Sequence, residues 1–177
     1  MEIRTPRLLL RPITLDDLMT THAYVSDAEN TRYMMYLPSE SLEETAQGVG
    51  ESVAEWGREA PARLEFAVEL EGRHIGGVTI FFQQDRTEAE LGWVLHRDHW
   101  GHGYTTEAAQ ALAAHAAAHW GVRRLFACCD SGNTASSRVM EKLGMHRVSA
   151  IPGRHNRGME GERIELTYEM RLCAAEE

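Results

Sequence analysis

Apolar positions along the chain switch between two periods. Leu64, Phe66, Val68 and Leu70 alternate with Glu65, Ala67 and Glu69, which reads as a strand with one wet face. Glu71-Gly72 supplies a hairpin turn, Ile75 to Phe82 returns as the partner strand, and Glu90 to Leu95 makes the third strand of a meander. Upstream, Leu8, Leu9 and Leu10 form a short strand stopped by Pro12, which has no N–H for a ladder. Thr14 as an N-cap with Asp17 three residues on opens a helix running to about Ser26, its apolar face carried by Leu15, Leu18, Met19, His22 and Val25. Ser41-Leu-Glu-Glu44 is a capping box, and Leu42, Thr45, Val49, Val53 and Trp56 carry helical spacing onward past Gly48 and Gly50.

The second half reads the same way. An Ala-rich helix from about Tyr104 to Trp120 ends at Gly121, and Arg124 to Cys129 is the next strand, so this strand–helix–strand unit predicts a right-handed crossover with parallel ends. Asn133 caps a short helix ending at Gly144. Met145 to Ser149 and Arg163 to Leu172 then close the sheet as a hairpin, with Arg154, His155, Asn156 and Arg157 in the loop from Pro152 to Gly161. Together these segments predict an α+β domain over residues 1–177, a twisted mixed sheet of about seven strands flanked by about four helices. Repeats, linkers and low-complexity segments are not found.

Composition narrows the function. A hydrophobic content of 43% with 25% charged residues is ordinary for a globular chain. No apolar run approaches the about 20 residues of a membrane span, and the N-terminus lacks a signal-peptide pattern, so a cytoplasmic protein is expected. Eighteen Lys+Arg against 27 Asp+Glu give −9, which opposes binding to nucleic acid or an anionic membrane and favours a cationic or amine-bearing partner. Three cysteines, of which Cys128 and Cys129 are adjacent, do not make a disulfide framework and read as reduced and packed; no activating His stands beside them. His115 and His119 have the i, i+4 spacing of two metal ligands but lack a third, so no metal is expected.

Candidate chemistry concentrates in Glu90 to Gln110, where the third meander strand runs through Trp100-Gly-His-Gly103 into a helix N-terminus. Glycines let backbone N–H groups approach a ligand where unpaired first-turn donors and the helix dipole favour phosphate. Thr106 stands where a Rossmann fingerprint needs its third glycine, and no Gly-Lys-Ser/Thr of a P-loop occurs. On these residues alone an ordinary capping turn fits as well.

A resemblance tips that balance. Trp100-Gly-His-Gly-Tyr-Thr-Thr-Glu-Ala108, Asn133-Thr-Ala-Ser136 and Glu141-Lys-Leu-Gly-Met145 resemble the acetyl-CoA-binding core of the GNAT superfamily of N-acetyltransferases. The chain is similar to the branch that acetylates ribosomal-protein N-termini and its many relatives of unknown substrate, from Arg7-Leu-Leu-Leu-Arg-Pro12 to the last strand. The superfamily loop Gln/Arg-x-x-Gly-x-Gly/Ala has Trp100 and Thr105 at its outer positions here, Thr105 being bulkier than usual. The resemblance implies a sheet with a central splay, acetyl-CoA as co-substrate, and a pyrophosphate held by Trp100, Gly101, His102, Gly103, Tyr104 and Thr105. It also implies that N–H groups near Val94 and Leu95 face the thioester carbonyl, that His96 backbone atoms pair with the pantetheine arm, and that Asn133 and Ser136 lie beside the cofactor.

Acetyl transfer from a thioester needs a neutral amine, stabilisation of the oxyanion and a proton for the leaving thiolate. Glu90 is the chosen base; a solvated charge at a strand end fits it nearly as well, and Glu88 is the alternative. The resemblance places a Tyr at position 140 in many members; Met140 cannot donate, and the ribosomal-protein branch points to Ser136, which otherwise simply occupies the first turn of a capped helix. Tyr33, Met34 and Tyr36, from a Tyr-Met-Met-Tyr-Leu segment, read as an acceptor wall or as plain packing. The expected activity is direct transfer, in a ternary complex, to a primary amine such as a peptide N-terminal α-amine. A small-molecule or antibiotic acetyltransferase and a non-catalytic acyl-CoA-binding module are the alternatives, and a monomer or homodimer is expected.

Overall fold

The computed structural model describes residues 1–172; the third cysteine, Cys173, lies outside them. Eight strands form one sheet: β1 (Ile3–Arg4), β2 (Leu8–Pro12), β3 (Arg63–Leu70), β4 (Arg73–Phe82), β5 (Glu88–Leu95), β6 (Arg124–Asp130), β7 (His146–Arg154) and β8 (Arg163–Arg171). Their order is β1-β2-β3-β4-β5-β6-β8-β7. The helices are α1 (Leu18–Val25), α2 (Ala28–Thr31), α3 (Leu42–Glu55), α4 (Tyr104–Trp120) and α5 (Thr134–Lys142).

Local signals act where they stand in the chain. The Asp17 carboxylate accepts from the Thr14 N–H at 2.9 Å ahead of α1. Ser41 Oγ accepts from the Glu44 N–H, while the Glu44 carboxylate reaches one residue past the cap to the Glu40 N–H, 2.7 Å away. Glu71 and Gly72 both have positive φ, as the tight β3–β4 turn requires. Two elements exceed the expected count. The two-residue β1 is too short to show a period and exists by pairing with β2. The single turn of α2 is set by the Asp27 side chain, which accepts from Glu29 N and Asn30 N.

Two other expectations need correction. The face of β3 bearing Glu65 and Ala67 is not wet: α1 and α3 cover it, Ser52 of α3 donates to the Glu65 carboxylate at 2.6 Å, and Trp56 Nε1 donates to the Glu65 carbonyl. Burial pushes the Glu65 carboxyl up. β7 also runs on through Pro152 to Arg154, because it is the sheet's edge strand and a missing N–H there breaks no ladder.

The larger core lies on the opposite face of the sheet, where Ala108, Ala109, Leu112, Ala113 and Ala116 of α4 seat on Leu10, Phe66, Val68, Ile80 and Leu91. Small residues on α4 let its backbone approach the sheet closely. β5 and β6 are parallel, and they pair only through Glu88↔Arg124, Ala89↔Leu125 and Glu90↔Phe126. Beyond Glu90 the two strands part, so a gap opens in the middle of an otherwise continuous sheet.

Candidate active site

A cleft of about 730 Å³ occupies that gap. Its wall includes Glu90, Val94 and Leu95 of β5, and Trp100, Gly101, Gly103, Tyr104 and Thr105 at the entry to α4. Asn133 and Ser136 of the α5 start and Tyr33 and Met34 of the segment after α2 complete the predicted residues found there. Three others stand outside it. Tyr36 is 80% exposed, His102 stacks on the Tyr104 ring with centroids 5.5 Å apart, and His96 Nδ1 accepts from the Asp98 N–H.

Gly101 (φ +79°) and Gly103 (φ +81°) turn the chain into α4 in a left-handed conformation that a side chain resists. No hydrogen bond among the described residues takes the N–H groups of Gly101 to Thr106. Arg7 braces the turn from outside: Nη1 donates to the His102 carbonyl at 3.0 Å, Nε to Glu107 at 2.7 Å, and the guanidinium lies 4.6 Å from the Tyr104 ring centre. Burial alone would raise the Glu107 carboxyl, but the bonds from Thr5 and Arg7 hold it below the usual carboxylate range. The negative charge in the first turn is therefore matched by Arg7, and the turn's donors stay available to an anion. Arg138 and Lys142, the chain's single lysine, sit i, i+4 on α5 in the cleft wall and have no carboxylate partner among the described residues. The sequence reading missed this basic pair, although its helical spacing was visible.

Strand alternation sorts the donors of β5. The His96 N–H donates to the Ile75 carbonyl of β4, so it is not free for a pantetheine arm, and the His96 carbonyl already accepts from His99 N. The expectation is corrected for the His96 N–H. Val94, two residues back, points toward β4 as well, whereas Leu95 faces the gap. Trp100 Nε1 takes the Leu95 carbonyl at 2.8 Å, which leaves the Leu95 N–H as the free donor of the predicted pair.

Glu90 stands at the last paired position before the split, half-buried, its carboxylate without a hydrogen bond to any described residue. Burial pushes its carboxyl up, the Glu165 charge adds to this, and Arg154 opposes it. Glu88 is instead ion-paired to Arg124 at 2.6 Å and lies outside the cleft, so it is not placed to act there. Arg154 (side chain 7% exposed) bonds Asn156 Oδ1, Glu165 and the Tyr33 carbonyl at 2.9, 2.7 and 3.0 Å, which ties the segment after α2 to the sheet. Asn156 in turn donates to Asp130, which Arg163 also grips. These side chains were noticed in the sequence only as a polar loop, since their partners lie on other strands.

The Ser136 N–H donates to Asn133 Oδ1 at 3.1 Å, and the Ser136 hydroxyl has no bonded partner among the described residues. Ser137 turns away, its Oγ 3.5 Å from Cys129 Sγ, and Met140 is fully buried in the core. Cys128 is in the cleft wall, but burial first, then Thr167 opposed by Glu90 and Glu165, leaves its thiol raised and a poor nucleophile. His115 and His119 stack 4.2 Å apart beside Trp120, away from the cleft.

Residues 7–146 match the acetyltransferase (GNAT) domain family. The chain belongs to the GNAT acetyltransferases. An uncharacterized N-acetyltransferase, YnaD of Bacillus subtilis (strain 168), is 31% identical over 149 residues, covering 83% of this chain and 84% of its own. A GNAT-family acetyltransferase from Bacillus anthracis superposes with a TM-score of 0.84 at 28% identity, covering 97% of this chain and 98% of that one. RimL, a ribosomal L7/L12 alpha-N-protein acetyltransferase crystallised with coenzyme A, superposes with a TM-score of 0.87 over 97% and 98% of the two chains, and at 18% identity shows the shared fold.

This GNAT chain is thus an acetyl-CoA-dependent N-acetyltransferase. Its structure fits the co-substrate: free N–H groups at a glycine turn, an unpaired basic face on α5 and a cleft through the sheet are what a pyrophosphate and an extended arm require. Among the described residues no helix is long and apolar enough to cross a membrane.

Proposed function

We propose that the enzyme acetylates the α-amine of a peptide or protein N-terminus. The observation that carries this reading is the position of Glu90, an unbonded half-buried carboxyl where the cleft passes from the gap toward the Tyr33–Met34 wall. An α-amine has a pKa of about 7.7–8.0 against about 10.4 for lysine. Burial strengthens the Glu90 carboxylate as a base, yet it stays far weaker than an amine, sufficient with one water for the former and poorly matched to the latter. RimL, which has the same fold, is named for such an acceptor.

In this mechanism the free N–H groups from Gly101 to Thr106 hold the pyrophosphate, with Arg138 and Lys142 adding charge. Acetyl-CoA supplies the acyl group as an activated thioester. Glu90 accepts a proton from the acceptor ammonium through water, and the Leu95 N–H holds the carbonyl oxygen as it gains charge. The Ser136 hydroxyl donates a hydrogen bond to the sulfur as the C–S bond breaks, and the second amine proton ends on the thiol. Tyr33 and Met34 receive the first side chain of the acceptor.

The test is an acceptor panel with acetyl-CoA: short peptides with free N-termini, the same peptides N-blocked but carrying lysine, and small primary amines, read by mass spectrometry. Product on free N-termini supports the proposal. Product only on small amines, or tight CoA binding with no product, overturns it.

A further inference from the structure

We propose that Asn30 is a specificity-determining residue that reads the first peptide bond of the acceptor. This rests on the peptide reading above and adds the group that distinguishes a peptide from a simple amine. Asn30 lies in α2 and lines the cleft with Glu29 and Arg32, close in sequence to Tyr33 and Met34. Both polar atoms of its side chain, Oδ1 and Nδ2, are shielded from water, and neither has a hydrogen-bond partner among the described residues.

That state is unusual within this molecule. The buried amide of Asn156 is satisfied at both ends, accepting from Arg154 and donating to Asp130. The other unpartnered buried side-chain atoms among the described residues belong to Thr21, Tyr24 and His115, one atom each, and none of these residues lines the cleft. A buried polar group without a partner costs free energy, and one that lines a substrate cleft recovers it when the substrate supplies the partner. The backbone around Asn30 is fixed for this purpose. Its N–H donates to Asp27 Oδ1, and Asp27 Oδ2 pairs with Arg97 just beyond β5, which anchors α2 against the strand carrying Glu90.

A carboxamide presents one acceptor oxygen and a two-proton donor, the complement of a peptide group's N–H and C=O. Rotation of the Asn30 side chain, with α2 held in place, turns that pair toward the bound acceptor. A monoamine without an amide offers nothing to it. A site built to bond a polar group rejects analogues lacking that group far more strongly than an apolar pocket rejects size variants.

The experiment compares three acceptors of the wild-type enzyme: the tripeptide Ser-Ala-Ala, its analogue N-methylated at the first peptide nitrogen, and isobutylamine. Acetylation is followed by mass spectrometry and expressed as kcat/KM. The wild type is expected to prefer the tripeptide over the N-methyl analogue by at least about tenfold, a comparison that needs no variant. Asn30→Leu, close in volume but without hydrogen-bonding groups, is expected to lower kcat/KM on the tripeptide about ten- to a hundredfold, chiefly through KM. It should equalise the two peptides, leave isobutylamine, which has no hydrogen-bonding group beyond its amine, unchanged and keep the calorimetric Kd for CoA. Asn30→Ala with a melting curve separates this from misfolding. Equal use of the two peptides by the wild type, or discrimination that survives in a folded Asn30 variant, overturns the inference while leaving peptide acetylation intact. A wild type that acetylates isobutylamine and no peptide overturns the acceptor reading, and this inference with it.

Discussion

Gly103→Ala tests the phosphate turn, provided its effect on folding can be separated from its effect on binding. A Cβ at Gly103 would meet Arg7 Nη2 at 3.6 Å, an ordinary contact, so no collision inside the protein complicates the result. The cost is conformational: at φ +81° an L-residue loses about 1–2 kcal/mol. Gly121, which ends the same helix at φ +68° with no atom within 4 Å of its Cβ position, carries the same penalty far from the turn and serves as the control. For a chain of this size each kcal/mol lowers Tm by about 2–4 °C, so both variants should melt roughly 2–8 °C below wild type. Only Gly103→Ala should affect the cofactor, since relief of the strain at its left-handed φ re-aims the free N–H groups beside it. Losing one charge-assisted hydrogen bond, about 1.5–3 kcal/mol, raises the Kd for CoA roughly ten- to 150-fold. Calorimetric titration at 20 °C, well below either melting transition, measures it. A Kd within twofold of wild type in folded Gly103→Ala, or equal weakening in Gly121→Ala, would refute this placement of the pyrophosphate.

Three further expectations follow from the geometry. Glu90→Gln should lower kcat about 10²- to 10⁴-fold with CoA affinity unchanged; because burial and Glu165 raise the Glu90 carboxyl, wild-type activity should climb with pH through an apparent pKa above 4.5, and a variant with full activity and the same profile would remove Glu90 from the mechanism. Ser136→Ala should cost roughly ten- to a hundredfold in kcat, the equivalent of about 1.5–3 kcal/mol, while Ser137→Ala, whose hydroxyl faces Cys129, should cost little; equal effects would assign the sulfur's proton to water. Burial alone would raise Asp17, but its bidentate pairing with Arg11 and the Thr14 N–H bring it from 3.8 down to about 2. A depressed folded pKa stabilises above the unfolded value and is lost on acidification, so the stability gap between wild type and Asp17→Asn should be about 2 kcal/mol at neutral pH and close between pH 4 and 2, and a pH-independent gap in urea titrations would contradict it.

Much of the fold is legible in the residues because its signals act within one turn of chain. Asp17 before α1, Ser41 before α3, the Gly103 and Gly121 boundaries of α4 and the Asn133 cap of α5 each bond or bend a backbone group a few residues away, and the alternation of β3 and β5 needs only a strand's own length. The cleft entry belongs to this class, since a glycine pair ahead of a helix carries its free donors wherever the helix goes. Tertiary structure decided what depends on partners far along the chain. The split after Glu90 arises because β5 and β6 pair for three residues and no more. Glu165 reaches Glu90 only because β8 inserts between β6 and β7. Arg7 braces a turn nearly a hundred residues away, and Arg154 ties Tyr33 to β8 across a similar distance. His96 shows the limit most directly: its place in the motif suggested a cofactor contact, while the ladder to Ile75 had already taken its N–H. A side chain's type and local spacing are written in the sequence, but whether its hydrogen-bonding groups are free depends on which strand lies beside it.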